Sequence, residues 1–224
     1  CVRDHLNKIA PRVNAVISPL KLTITNYDLD KEILKGEINP EDPLSGTRDI
    51  PFSRHLYIER EDFMEQANRK YFRLTTGKEV RLKNAYIIKG ESVLKDKQGN
   101  ITEVLCTYDK ASKSGSGSDA SKRKVKGTLH WVSQKHAIKA KVNLYDRLFV
   151  DPAPDQHKDK SFLDFINPNS LNEAFVFIEP SILSAKAGQP YQFQRLGYFC
   201  VDKISTPKNL VFNKTVSLRD TWSK

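Results

Sequence analysis

The chain has no apolar run long enough to span a membrane. Its longest, Ala174-Phe175-Val176-Phe177-Ile178, falls far short of the roughly 18 residues that a spanning segment needs. Cysteine is scarce: Cys1, Cys106 and Cys200 lie far apart and fit neither a zinc-ligand spacing nor an even disulfide framework. A reducing cytoplasm is the simplest home for such a chain. Neither glycine (10) nor proline (11) is enriched, which excludes a collagen-like or low-complexity polymer. Gly-x-Ser-x-Gly and Gly-x-x-x-x-Gly-Lys-Ser/Thr are both missing. The histidines His5, His55, His130, His136 and His157 have no metal-ligand spacing, and Asp146 and Asp151 lack a paired carboxylate. These absences leave no catalytic group and no metal site to assign. The opening Cys1-Val2-Arg3-Asp4-His5 is polar, unlike a signal peptide, and begins without Met. It reads as the start of a piece cut from a longer protein.

What the chain does have is positive charge. Its 224 residues accommodate one or two domains, and 38% hydrophobic with 29% charged residues is a folded, soluble composition. Lys and Arg number 37 against 27 Asp and Glu, a formal charge of +10. That balance favours a polyanionic partner without establishing one.

The periodicities point to short strands. Val2, Leu6 and Ile9 recur at helical spacing over residues 3–9 until Pro11. Pro19 to Thr25 alternates like a half-buried strand, and His55 to Ile58 is another. Residues 28–50 are acidic and Pro- and Gly-bearing, an excursion with room for a strand or two. Glu61-Asp62 opens an expected short helix, with Phe63, Ala67 and Tyr71 on one side. Glu79 to Lys89 is one kinked strand or two, and Ser92–Leu94 with Ile101–Tyr108 form a hairpin around Gln98-Gly99-Asn100. Residues 110–124 lack large apolar residues and are expected to be a flexible loop. Further strands are expected at 125–132, 138–145, 174–178, 190–194, 198–202 and 210–216. Many short strands at modest spacing indicate barrels or sandwiches.

Several basic residues fall in patterns suited to RNA. Arg81 and Lys83 share one face of a strand whose other face carries Val80 and Leu82. They suit a phosphate or a base edge, and equally an ordinary solvated strand face. Lys70 and Arg73 flank Tyr71-Phe72, an arrangement that can stack on unpaired bases or simply end a helix favourably. In Tyr191-Gln192-Phe193-Gln194-Arg195 the amides point away from the core, so Gln192 is free for directional bonds. Arg195 falls on the aromatic side, and the strand must end or bulge near Leu196-Gly197. Lys122-Arg123-Lys124-Val125-Lys126 fits nonspecific phosphate contact and plain solvation equally well.

Taken in order, several segments resemble the C-terminal half of the glutaminyl-tRNA synthetase family. They are Ala10-Pro11-Arg12, Gly77 to Tyr86, Lys124-Val125-Lys126-Gly127 with His130-Trp131-Val132-Ser133, and Leu144 to Phe149. Gly197-Tyr198-Phe199-Cys200, Val211 to Val216 and Leu218-Arg219-Asp220-Thr221-Trp222 complete the set. The likeness covers nearly the whole chain and is weakest over 28–50 and 110–124.

That resemblance implies an all-β fold of two β-barrels, of the ribosomal-protein-like anticodon-binding type, behind a short N-terminal helix. Residues 1–12 would end a helical connector, 13–112 form the first barrel, 113–124 a flexible loop and 125–224 the second barrel. The final strand would either close the second barrel or return to the first. The partner would be the tRNA for glutamine, the chain a cytoplasmic monomer with no membrane contact. No cofactor would bind this chain. ATP would belong to a catalytic half whose His-Ile-Gly-His-like and Lys-Met-Ser-Lys-Ser-like signatures are not in this sequence. Carried over by resemblance, Asn7 and Arg12 would sit at the anticodon loop, with Gln192 and Arg195 joining Arg12 at the middle base. Arg73 would read the last base, with Lys70 nearby, and Arg81 the first, with Lys83 beside it. Lys70 stands where a Gln is common in the family, Phe72 where a cation is common and Lys83 where an Arg is common. A lysine cannot reproduce a bidentate arginine fork, so Lys83 is the weakest of these contacts. The related region of a glutamate enzyme and a free-standing RNA-binding barrel are the alternatives.

Overall fold

The structure, a computed structural model, describes residues 2–219. It opens with helix α1 (Val2–Ile9), whose Leu6 packs with Ala10 against Tyr198. Asp4 in the first turn and Lys8 in the last complement the helix dipole. Two very short strands follow, β1 (Arg12–Val13) and β2 (Ala15–Val16), then β3 (Pro19–Ile24). The 28–50 excursion holds a separate antiparallel ribbon of β4 (Glu32–Glu37) and β5 (Thr47–Phe52). After β6 (His55–Glu59) come β7 (Glu79–Leu82), β8 (Ile87–Lys95) and β9 (Ile101–Asp109). A single turn of helix, α2 (Asp119–Lys122), precedes β10 (Thr128–Leu129) and β11 (Val132–Ser133). The chain continues through β12 (Ile138–Tyr145), β13 (Leu171–Ile178), β14 (Pro190–Phe193), β15 (Gly197–Val201) and β16 (Val211–Val216).

Two seven-stranded sheets organise these elements. The first runs β10-β7-β8-β9-β3-β6-β11 and the second β1-β14-β15-β16-β12-β13-β2. Each curls into a barrel-like shape, and one short segment supplies both of its edges. Thr128–Leu129 pairs with β7 and, two residues on, Val132–Ser133 pairs with β6. Arg12–Val13 pairs with β14 while Ala15–Val16 pairs with β13. Closing an edge in this way removes unpaired backbone groups that would otherwise recruit foreign strands. Each closing segment comes from across the expected boundary: residues 12–16 lie in the second sheet and 128–133 in the first. The expected division into 13–112 and 125–224 therefore does not describe the sheets. The final strand β16 lies between β15 and β12, inside the second sheet.

Separate cores fill the two sheets. Trp131 meets Phe52 edge-on at 5.0 Å in the first, with Tyr27, Tyr86 and Tyr108 around them. Phe193, Phe199 and Phe212 stack and cross in the second. Ring pairs of this kind contribute beyond their buried area.

Two local expectations change. No helix forms after Glu61. Arg60–Asp62 is a single 3-10 turn, and residues 64–73 fold back so that Leu74 pairs with Phe63. Asn68 caps a turn by accepting from Lys70 N at 2.9 Å, a side-chain bond that competes with helix. The Tyr71 hydroxyl then closes the loop onto the Glu61 carbonyl at 3.0 Å. Residues 110–124, expected as an open loop, hold a 3-10 turn and α2 and are fastened to β7. The expected kink in 79–89 is a true turn, with Asn84 at φ 59, where asparagine is well tolerated. Cys1, Asp220, Thr221 and Trp222 lie outside the described residues.

Buried carboxylates occupy the junction between the sheets. Glu59 accepts from the Ile17 and Ser18 amides at 2.7 and 3.0 Å, where the chain passes from β2 to β3. Glu179, after β13, grips Arg48 of the ribbon, with the Asn14 amide on its other oxygen at 2.9 Å. Tyr57 and Phe177 add a ring contact at 4.7 Å. Because Arg48 and Glu179 are both almost wholly buried, removing one partner strands the other charge. Glu179→Ala is expected to cost about 3–5 kcal/mol in a denaturant titration. The apolar double replacement Arg48→Met with Glu179→Leu should cost less than that single change.

Candidate nucleic-acid interface

The loop that replaces the expected helix shapes a cavity of about 590 Å³. Its walls come from Arg69 and Tyr71 to Arg73, the approach to β7 at Gly77 to Glu79, Lys89 of β8, and Lys124 to Gly127. Arg69, Arg73, Lys78, Lys89, Lys124 and Lys126 bring positive charge to it, against the single acid Glu79. Glu79 is itself neutralised by Arg123, which also reaches Asp109. Tyr71 and Phe72 supply the flat apolar surface. Phe72 is half exposed, with Lys126 Nζ 5.5 Å from its ring centre. The cavity depends on close backbone approach: a Cβ on Gly127 would stand 2.2 Å from the Phe72 carbonyl oxygen.

Arg73 stands on the inner wall. Its guanidinium contacts Glu61 at 2.8 Å and Asp62 at 2.9 Å. Burial opposes its charge, but these carboxylates more than offset that and raise its pKa. Burial, and then the charge of Asp62, push Tyr71 up to about 12. Arg73 also borders a second cavity of about 430 Å³, whose other walls are Arg195, Leu196, Ser217, Leu218 and Arg219. Arg195 holds both oxygens of Asp62, at 2.5 and 2.6 Å, and lies 3.3 Å from His130 Nδ1. It sits at φ 67, past the end of β14 at Phe193, so the strand ends a little before the expected Leu196-Gly197.

The remaining expected residues divide into two groups. Asn7, Arg12 and Gln192 do come together. Arg12 is Gln192's partner across the β1–β14 ladder. The buried Arg12 guanidinium donates to the Asn7 and Ala10 carbonyls at 2.9 and 2.7 Å, and to Asn7 Oδ1 at 2.7 Å. It thereby satisfies carbonyls at the end of α1. Tyr198 donates its hydroxyl to the same Asn7 oxygen at 3.1 Å. Gln192 shows no side-chain bond among the described residues. Lys83 faces the same region: burial first, then the charge of Arg48, depresses its ammonium, with Arg12 adding to the effect.

Arg81 and Lys70 lie elsewhere. The Arg81 fork donates to the Ser112 carbonyl, Ser114 hydroxyl, Ser121 carbonyl and Arg123 carbonyl, at 2.9 to 3.2 Å. With its Nη donors so occupied, Arg81 anchors 110–124. The first-base contact expected of it would have to coexist with these bonds or replace one of them. Lys70 is at the exposed tip of the 64–73 loop. Asp62 and the cations Arg69, Lys78 and Lys89 were not singled out from the sequence. Asp62 read there as an ordinary first-turn acid, and nothing local distinguishes it. Among the described residues there is no cluster of three or more His, Cys, Asp or Glu side chains suited to a metal, and no helix long and apolar enough to cross a membrane.

A family model described as "tRNA synthetases class I (E and Q), anti-codon binding domain" matches residues 10–109, and a second of the same description matches 128–202. The chain is 54% identical over 224 residues to a Glutamine--tRNA ligase of Proteus mirabilis, covering all of this chain and 40% of that protein. It is 53% identical to one of Rhodopirellula baltica, covering 37% of it, and 52% identical to one of Vibrio parahaemolyticus, covering 40%. The chain thus spans about two fifths of the length of these relatives.

The anchoring role of Arg81 is testable without any ligand. Arg81→Ala should release 110–124 and open it to limited proteolysis, while the sheets stay folded. Arg81→Lys should restore little, since an ammonium cannot span four acceptors held by a planar fork. Unchanged cleavage in both variants would remove the anchor.

Proposed function

The chain belongs to the anticodon-binding family of the class I tRNA synthetases for E and Q, and from that premise we propose that it reads the anticodon of a glutamine tRNA for a glutamine–tRNA ligase. That ligase would attach glutamine to its tRNA with ATP in the cytoplasm, its chemistry carried by sequence outside these 224 residues. The relatives' names support glutamine over the glutamate alternative. The reading takes one chain per tRNA.

The observation that carries this reading is the first cavity: six cations and two aromatic rings around a space large enough for an unpaired base. Single-stranded RNA is recognised by stacking on aromatic rings, by directional bonds to base edges, and by charge along the backbone. Arg73 on the inner wall would take the last base. Gln192 and Arg195, with Arg12 and Asn7 behind them, would take the middle base. Lys83 is the group left for the first base, with Arg81 supporting the rim. Lys122, Lys124 and Lys126 are exposed and would follow the phosphates.

Titration with anticodon stem-loop RNAs differing at single anticodon bases tests this. Affinity should fall steeply with salt. Arg73→Ala should cost about 1–3 kcal/mol against the cognate loop and nearly nothing against one already changed at the last base. Arg73→Lys should recover charge but little discrimination. Gln192→Ala removes no charge, so its loss should be confined to the middle base. Equal weakening against every anticodon would reduce the site to a basic patch. The isolated chain should show no glutamine-dependent ATP–pyrophosphate exchange, and activity that follows the purified chain would overturn that part of the assignment.

A further inference from the structure

We propose that Asp62 positions both base-reading arginines and couples the reading of two neighbouring anticodon bases. The inference rests on the assignment of Arg73 and Arg195 to bases and adds a residue that touches no base itself.

Asp62 is fully buried, receives two charge-assisted hydrogen bonds from Arg195 and forms an ion pair with Arg73, whose Nη1 donates to Glu61. Arg195 takes both carboxylate oxygens, and Arg73 shares Oδ1 with it at 2.9 Å. A guanidinium is a rigid plane with five N–H groups. Tying one edge of Arg195 inward sets the direction of its remaining donors. Both arginines keep part of the side chain open, 29% for Arg195 and 37% for Arg73. Their open sides border the second cavity together, and Arg73 alone reaches the first. One buried oxygen therefore stands between the two readers.

Coupling follows from the shared carboxylate oxygen, to which Arg195 donates and with which Arg73 pairs by charge. When a base draws Arg73 outward, its hold on Oδ1 weakens and that oxygen is left to Arg195. A wrong base at one position thus alters the fork offered at the other. Glu61 is the natural comparison, since it bonds the same Arg73 but is exposed and makes no bond to Arg195 among the described residues. A carboxylate that served only to fasten the sheets would affect all RNAs alike.

The test uses the 224-residue chain and four stem-loop RNAs at one salt concentration: the glutamine anticodon CUG, a middle-base change, a last-base change and both together. For the unaltered protein, the double change should weaken binding several-fold less than the product of the two single effects. Asp62→Asn should shrink discrimination at both positions by about tenfold. It should leave binding of the doubly changed RNA equal or tighter, because it removes a negative charge from a basic surface. Glu61→Gln should alter the last base alone. Thermal melting checks that Asp62→Asn is folded, and if it is not, the unaltered protein's four affinities decide the question. Multiplying single effects, or an equal loss for all four RNAs in Asp62→Asn, would overturn the coupling while leaving base reading intact. Absence of discrimination by the unaltered protein would instead sink the base reading, and the coupling with it.

Discussion

Burying a carboxylate costs several kcal/mol unless cations or backbone amides close around it. Three of them, Glu59, Asp62 and Glu179, are buried at the junction of the two sheets. Their partners come from distant parts of the chain: Asp62 and Arg195 are 133 residues apart, and Arg48 and Glu179 are 131 apart. The acids stay satisfied only while the sheets keep their mutual placement. The junction is thereby fixed by directional bonds, with the Tyr57–Phe177 contact as its apolar part.

The same placement closes the barrels. Residues 12–16 complete the second sheet and 128–133 the first, so the chain crosses the junction before and after building each core. Asn14 and His130 lie at those crossings, both buried. The Asn14 backbone N–H donates to Glu179, and His130 lies between Arg195 and Glu59. Closure, junction and candidate RNA-facing surface thus use overlapping residues. A disturbance of the junction therefore moves the groups assigned to the anticodon.

Several of those groups are engaged before any RNA arrives. Arg12 caps α1, Arg195 and Arg73 hold Asp62, and Arg81 holds 110–124. Holding a long side chain in place reduces the entropy lost when it meets a base. The cost is that any bond to RNA must coexist with, or replace, an existing one. Arginine suits the first course, because an occupied edge still leaves donors on the other. Arg81 is the most heavily engaged of them, with four acceptors around its two Nη nitrogens.

The sequence alone was enough for the class of fold, the strand-rich texture and the basic character, because period-two alternation and composition are local properties. Ordered motifs carried the family resemblance, and with it the meeting of Asn7, Arg12 and Gln192. An end to the strand in this neighbourhood was also legible, since Arg195 falls in phase with the aromatic residues, where a cation would have to enter the core; β14 ends at Phe193, a little before the expected Leu196-Gly197. The short closing strands were not: two residues of β structure have no periodicity, and their pairing exists only with partners far along the chain. The helix expected after Glu61 was lost to Asn68's turn and to the pull of two arginines on Asp62. Arg81 looked the same as a solvated strand cation until the 110–124 segment wrapped it. Only the tertiary structure decided these points, because a charged side chain's role depends on which opposite charge or carbonyl the folded chain brings within reach.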